Sequence, residues 1–126
     1  MEERMRIARM AKGSVFLLGA LLALVWMGGV AEAEPLSRVE AKRVCMVNDT
    51  VFPRDQIPVE VQGKVYFGCC EMCKGRLAKD ASVRSAVDPI SGKKVDKATA
   101  VIGADSEGKV RYFESEDTFA RFGEGV

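Results

Sequence analysis

The chain has 126 residues, with 19 Lys and Arg residues against 18 Asp and Glu residues, and it contains no histidine. Its formal net charge is +1 at pH 7. It therefore lacks the clustered basic residues that displace counterions from nucleic acid, and this excludes nucleic-acid binding. Without histidine or a glycine-rich phosphate-binding loop, the usual nucleophilic and phosphoryl-transfer sites cannot be built, and we expect no enzymatic activity.

The first 33 residues have the order of a secretory signal peptide. Four basic residues within the first 12 positions precede an apolar run of 16 residues from 15 to 30. Ala31-Glu32-Ala33 then supplies the small residues that signal peptidase requires, which predicts cleavage after Ala33. An uncleaved membrane anchor is the competing interpretation, although 16 residues are fewer than the roughly 20 needed to span a bilayer. We expect an exported protein, periplasmic or extracellular, that is not held in the membrane after cleavage.

The expected mature chain starts with a polar lead-in segment at 34–43, and the first structured unit is predicted over 44–80. Residues 59–61 and 65–67 are typical of strands and flank the turn-forming Gln62-Gly63-Lys64, a pattern that predicts a β-hairpin. Good helix formers at 71–79 predict a short helix directly after the hairpin.

A second unit with the same plan is predicted over 88–122, after a linker that ends near Ala86. Two short strands at 100–102 and 110–113 flank Glu107-Gly108-Lys109, and a helix follows over 114–122 with Ser115 near its start. Cys45 precedes Tyr66 by 21 positions, and Ser91 precedes Tyr112 by 21 positions. The sequence therefore predicts an α+β fold of two hairpin-plus-helix units in tandem, although any two such units share some likeness.

All four cysteines lie in the first half, at positions 45, 69, 70 and 73. On a helix, Cys69 and Cys73 are four positions apart and Cys70 and Cys73 are three apart, so either pair can converge while Cys45 joins from a distant turn. The positive end of a helix dipole favours the thiolate form that binds metal. Thiolates are soft ligands that prefer Cu(I), zinc and similar ions, so the pattern predicts a soft-metal site.

Two other uses of these cysteines stay open. Four cysteines in a small exported protein can form two disulfides, but three of the four lie within five residues, and a second bridge there would be strained. Cys70-Glu71-Met72-Cys73 has the CxxC spacing of redox proteins without their βαβ context. Met46 and Met72 could add thioether ligands, but methionine in a small domain more often fills the core.

Cys45 and the segment GKVYFGCCEMC at 63–73 together resemble the TRASH domain, a relative of the YHS domain. That family has one cysteine, about twenty intervening residues, and then Cys-x3-Cys. Cys45, Cys69 and Cys73 match this pattern with an interval of 23 residues, and Cys70 lies inside the spacer as a less certain ligand. The resemblance implies a small treble-clef-like fold and the sensing, carriage or handling of heavy metals such as copper.

The second half is similar to a YHS unit without cysteines, in which Ser91, Glu114 and Thr118 stand at the ligand positions. These side chains offer only oxygen atoms, so we expect one metal ion per chain, zinc or Cu(I). The expected function is metal sensing, carriage or resistance, with the metal ion and a metal-handling protein as partners. The alternatives are a zinc-stabilised protein-interaction module and a disulfide-bonded small exported domain.

Export is tested by the mass of the secreted protein. Expression with the full leader should give a product whose intact mass begins at Glu34, because the Ala-x-Ala sequence places the peptidase cut after Ala33. Ala33→Leu should block cleavage and leave the precursor in the membrane fraction. A wild-type product that keeps residues 1–33 in the membrane would favour the anchor.

Overall fold

The computed structural model describes Gly28 and residues 35–124. The predicted signal peptide at 1–33 lies outside the described residues except for Gly28. Within the described ranges, no helix combines the length and the apolar character needed to cross a membrane. The α+β class is confirmed, since small antiparallel sheets and two helices make up the described fold.

The elements follow one another as short strands and helices. The strands are β1 (Ser37–Arg38), β2 (Val44–Cys45), β3 (Thr50–Val51), β4 (Ile57–Val61), β5 (Lys64–Gly68), β6 (Ser85–Val87), β7 (Lys94–Asp96), β8 (Val101–Ala104) and β9 (Val110–Phe113). Helix α1 (Glu71–Lys79) follows β5 and helix α2 (Glu116–Gly123) follows β9, while 3-10 turns occur at Ala41–Arg43 and Ala81–Arg84. Strands β1, β8 and β9 form one antiparallel sheet, and β2–β3, β4–β5 and β6–β7 form three hairpins.

The predicted hairpins and helices are present near their expected positions. In β4–β5, Val59 pairs with Tyr66, and the turn has positive φ angles at Gln62 (52°) and Gly63 (77°). This primed turn matches the twist of the flanking strands. Strand β8 pairs with β9, and the Ser115 hydroxyl caps α2 by accepting from the N–H of Thr118. The element order hairpin, hairpin, helix therefore occurs twice.

Two segments have more structure than the sequence predicted. The lead-in adds β1 to the edge of β8, with Ser37 opposite Ala104, and the N–H of Val39 donates to the carbonyl of Ile102. The expected linker before residue 88 contains the second 3-10 turn and β6, which pairs with β7. The β1–β8 pairing joins residues far apart in sequence, so local patterns do not indicate it, whereas β6–β7 is a local hairpin that the sequence analysis did not identify.

One hydrophobic core joins the two halves of the described chain. The first half contributes Val44, Met46, Val59, Tyr66 and Leu77, and the second contributes Ile102, Ala104, Val110 and Tyr112. Beside it, Phe113 packs edge-to-face against Phe119 and Phe122, with ring centroids 5.4 and 5.6 Å apart. Units of this size rarely bury enough apolar area alone, and here they share it.

A buried lysine also connects the two halves. Lys97 is only 4% exposed, and its Nζ donates to the carbonyl of Met46 at 2.6 Å and to Oδ1 of Asp49 at 2.9 Å. The hydroxyl of Tyr112 donates to the same Asp49 oxygen at 2.8 Å. The ammonium lies 5.0 Å from the centroid of the Tyr112 ring. Its charge is therefore compensated by a carbonyl, a carboxylate and an aromatic face.

Replacing Lys97 by methionine should lower the free energy of unfolding of the reduced, metal-free protein by about 2 kcal/mol or more, because Met46 and Asp49 lose their buried partner. Lys64→Met is the matched control. Lys64 bonds Asp96 at 2.8 Å, but its side chain is 48% exposed, so its loss should cost less than about 1 kcal/mol. Denaturant titration followed by circular dichroism measures both, and equal losses would contradict a special role for Lys97.

Candidate metal centre

Cys45 ends strand β2 and is fully buried. The turn that follows returns the chain into β3, and Asp49 within it adopts a left-handed backbone with φ of 51°. The N–H of Met46 donates to the carbonyl of Phe67 at 2.9 Å, which attaches the turn to strand β5. The thiol is thereby held next to the end of β5.

Cys69 and Cys73 lie on either side of the junction between β5 and α1. A Cβ atom placed on Gly68 would lie 3.0 Å from Cβ of Cys73 and 3.1 Å from the backbone nitrogen of Lys74. A side chain at Gly68 would therefore force the first turn of α1 away from the strand. Glycine at this position lets the two elements approach closely enough for Cys69 and Cys73 to share a site.

The three predicted ligands Cys45, Cys69 and Cys73 converge. Their sulfur atoms all lie within 4.8 Å of one another, and those of Cys69 and Cys73 are 3.7 Å apart. Two sulfurs bound to one tetrahedral zinc ion at 2.3 Å would be separated by about 3.8 Å, so this pair fits a common ion. A disulfide requires about 2.05 Å, and all four cysteines are free thiols in this structure. The cluster can hold a metal ion.

Cys70, the less certain ligand, is outside this three-sulfur cluster. Its side chain is exposed, and it precedes α1 without making a side-chain capping hydrogen bond. The nearby N–H and thiol of Cys73 lower its pKa. Cys70 therefore stands beside the cluster as an accessible thiol.

The local environment sets different pKa values for the three converging thiols. Burial opposes ionisation of Cys45, but the N–H groups of Asn48, Val47 and Cys69 outweigh it and lower the pKa of that thiol. Burial, followed by the neighbouring thiols, raises the pKa of Cys73 to about 12, and burial also raises that of Cys69. Metal binding must then release protons from Cys69 and Cys73, so metal affinity should increase with pH.

Some residues beside the cluster were not singled out by the sequence. The amide Nδ2 of Asn48 lies 3.6 Å from the Cys69 sulfur and donates to it. Its place three residues after Cys45, in a predicted turn, is the signal that could have indicated this role. Nothing in the sequence around Lys97 indicated its role. Of the two methionines, Met46 is buried in the core and Met72 is 78% exposed.

In the second half, the three residues expected at the ligand positions, Ser91, Glu114 and Thr118, all contact the buried side chain of Asp88. The backbone N–H of Glu114 and the hydroxyl of Thr118 both donate to Oδ2 of Asp88, while the Glu114 carboxylate lies 3.9 Å from Nζ of Lys93. Ser91 donates its backbone N–H to Asp88, and its hydroxyl accepts from the N–H of Lys93. Among the residues that the structure describes, only Cys45, Cys69 and Cys73 form a cluster suited to a metal ion.

Comparison with protein-family models, with curated proteins and with solved structures finds no match to this chain. The resemblance to the TRASH and YHS domains therefore stays a prediction from the cysteine spacing.

Single substitutions test the ligand set. Cys45→Ser, Cys69→Ser and Cys73→Ser should each weaken metal binding by more than about tenfold, because a centre built from two separate segments loses its geometry with any one thiolate. Cys70→Ser, which replaces the exposed neighbour, is the matched control and should change the dissociation constant by less than about threefold. Competition with a chromophoric chelator measures all four. Severe loss at Cys70 with none at Cys69 would move the site to the CxxC pair.

Proposed function

We propose that this protein is an exported, non-enzymatic carrier of one soft metal ion, zinc or Cu(I), bound by Cys45, Cys69 and Cys73. The observation that carries the proposal is the convergence of these three sulfurs within 4.8 Å. All-thiolate donors select thiophilic ions over magnesium or calcium. Export rests on the predicted signal peptide, and a role in metal handling agrees with the resemblance to the TRASH domain.

The number of ligands favours an exchangeable ion over a permanent structural one. Structural zinc sites have four protein ligands, whereas three leave a position for a water molecule or an incoming ligand. A trigonal set of three thiolates suits Cu(I) as it stands. Zinc would need a fourth ligand from solvent, from Cys70 or from a partner.

The turn that follows Cys45 is held in place by contacts within the protein. Asp49 in its turn accepts the N–H of Val110 at 3.0 Å with its backbone carbonyl, and Lys97 and Tyr112 with its side chain. The ligand is thus not positioned by metal alone. A preformed site can release its ion without losing its shape, as a carrier requires.

Exposed soft side chains lie next to the cluster. Cys70 directly follows the ligand Cys69, and Met72 on the same turn of α1 is 78% exposed. A thiol and a thioether at the surface are the groups through which a metal-handling protein could take over a soft ion by ligand exchange. We therefore propose such a protein as the partner.

Anaerobic titration of the reduced protein tests the proposal. Zinc or Cu(I), added against a competing chelator, should saturate at one equivalent per chain, because the described residues provide one cluster of three thiolates. Elemental analysis of protein purified without oxygen then identifies which of the two metals is retained.

Cobalt substitution separates a carrier from a zinc-stabilised interaction module. In the carrier, Cys70→Ser should leave the thiolate-to-cobalt absorption bands unchanged while slowing transfer of the ion to a thiol-containing acceptor. A fourfold site closed by Cys70 would instead lose one quarter of the charge-transfer intensity. Failure of the wild-type protein to bind either ion under reducing conditions would rule out the proposal.

A further inference from the structure

Asp88 is fully buried, and its carboxylate accepts four hydrogen bonds. Oδ1 accepts from the N–H groups of Ile90 at 2.7 Å and Ser91 at 3.0 Å. Oδ2 accepts from the N–H of Glu114 at 2.8 Å and from the hydroxyl of Thr118 at 2.7 Å. One side chain therefore joins the turn after β6 to the chain on both sides of the start of α2.

The contacts of Cys45 follow the same pattern. The Cys45 sulfur lies within 4.8 Å of the sulfurs of Cys69 and Cys73, which flank the start of α1. Asp88 meets the start of α2 in the same way, through the N–H of Glu114 at 2.8 Å and the hydroxyl of Thr118 at 2.7 Å. Cys45 is the last residue of β2 and Asp88 directly follows the last residue of β6, so both lie where the first strand of a short hairpin ends.

The residues around the start of each helix also have the same spacing in the two units. Cys69 precedes Cys73 by four positions, and Glu114 precedes Thr118 by four positions. The Thr118 hydroxyl is 2.7 Å from the Asp88 carboxylate, in the place where the Cys73 sulfur meets the other two sulfurs in the first half. Position by position, Asp88, Glu114 and Thr118 occupy the places of Cys45, Cys69 and Cys73.

The two halves also contact each other through groups of the same kind. Tyr66 of hairpin β4–β5 donates to Asp96 in the second half, at 2.9 Å to Oδ1 and 3.0 Å to Oδ2. Tyr112 of hairpin β8–β9 donates to Asp49 in the first half at 2.8 Å. Each aspartate also binds a lysine of the half opposite its own, Lys64 for Asp96 and Lys97 for Asp49.

We propose that residues 85–123 are a second copy of the unit at 44–79, in which the Asp88 carboxylate takes the place of the metal–thiolate centre. This copy is closed by hydrogen bonds, folds without metal, and acts as a scaffold for the metal-binding copy. The correspondence of the two units stands on the contacts above, and only the role of metal in the first unit rests on the proposed function.

The charge of Asp88 agrees with this role. Burial alone raises the pKa of a carboxyl group, but the bonds from Glu114, Thr118, Ser91 and Ile90 lower that of Asp88 to about 2. The carboxylate is therefore charged at neutral pH, and its hydrogen bonds are of the stronger, charge-assisted kind. A buried charge is retained in a protein where its bonds are complete, as they are here.

Hydrogen exchange in the reduced, metal-free full chain tests the scaffold. Asp88→Asn places an amide donor against the donors at Glu114 and Thr118, so exchange of the Glu114 amide should accelerate at least about tenfold. Asp105→Asn is the matched control, because Asp105 accepts only from Glu107 and Lys109 in its own turn. It should change the Glu114 rate by less than about threefold. Unchanged exchange at Glu114 in Asp88→Asn would overturn the proposal.

Rebuilding the thiols tests the correspondence itself. The triple variant Asp88→Cys, Glu114→Cys, Thr118→Cys should bind a second equivalent of zinc, and should keep one equivalent when Cys45→Ser is added. The decoy variant Ser91→Cys, Glu114→Cys, Thr118→Cys follows the register suggested by sequence spacing and should bind only one equivalent. A folded first variant without a second equivalent, or equal binding by the decoy, would overturn the proposal. If the rebuilt site binds zinc and the wild-type protein does not, only the proposed function fails.

Discussion

The buried ammonium of Lys97 is the constraint on which the arrangement of the two halves depends. A charge in the interior is tolerated only when its partners are placed correctly, and those of Lys97 are the Met46 carbonyl, the Asp49 carboxylate and the Tyr112 ring. Met46 directly follows Cys45, so the same interaction fixes where the first metal ligand lies.

At the candidate metal centre, the unfavourable contribution comes from bringing three thiols close together. Burial disfavours the charged thiolate and the neighbouring cysteines add to this, so the pKa of Cys73 rises to about 12. Cys45 differs because surrounding N–H groups favour its thiolate. A soft cation removes the conflict by replacing the protons of Cys69 and Cys73. The cluster is therefore suited to an ion that binds sulfur strongly enough to compete with protons.

The sequence predicted what depends on local rules and missed what depends on long-range pairing. Alternating strand residues around Gln62-Gly63 and the helix formers after Cys70 predicted the β4–β5 hairpin and α1. Cys69 and Cys73 do converge, but Cys69 precedes α1 instead of lying on it, so the close approach of β5 and α1 brings the two sulfurs together. Lys97 was not predicted, because nothing near it in sequence indicates burial. The contacts of Asp88 were not predicted either, because counting 21 positions back from Tyr112 selects Ser91, and only the fold brings Asp88 to Glu114 and Thr118.

In the proposed arrangement, the Asp88 carboxylate closes one unit and a metal ion closes the other. Neither unit can build a core alone, and a metal that supplied the missing stability in both would be bound as tightly as folding requires. Release of such an ion would mean unfolding. With Asp88 closing the second unit and Lys97 connecting it to the turn of Cys45, the chain depends less on its ion. The affinity of the three-thiolate centre can then be low enough for the ion to exchange with a partner, because the ion adds stability only in proportion to its occupancy.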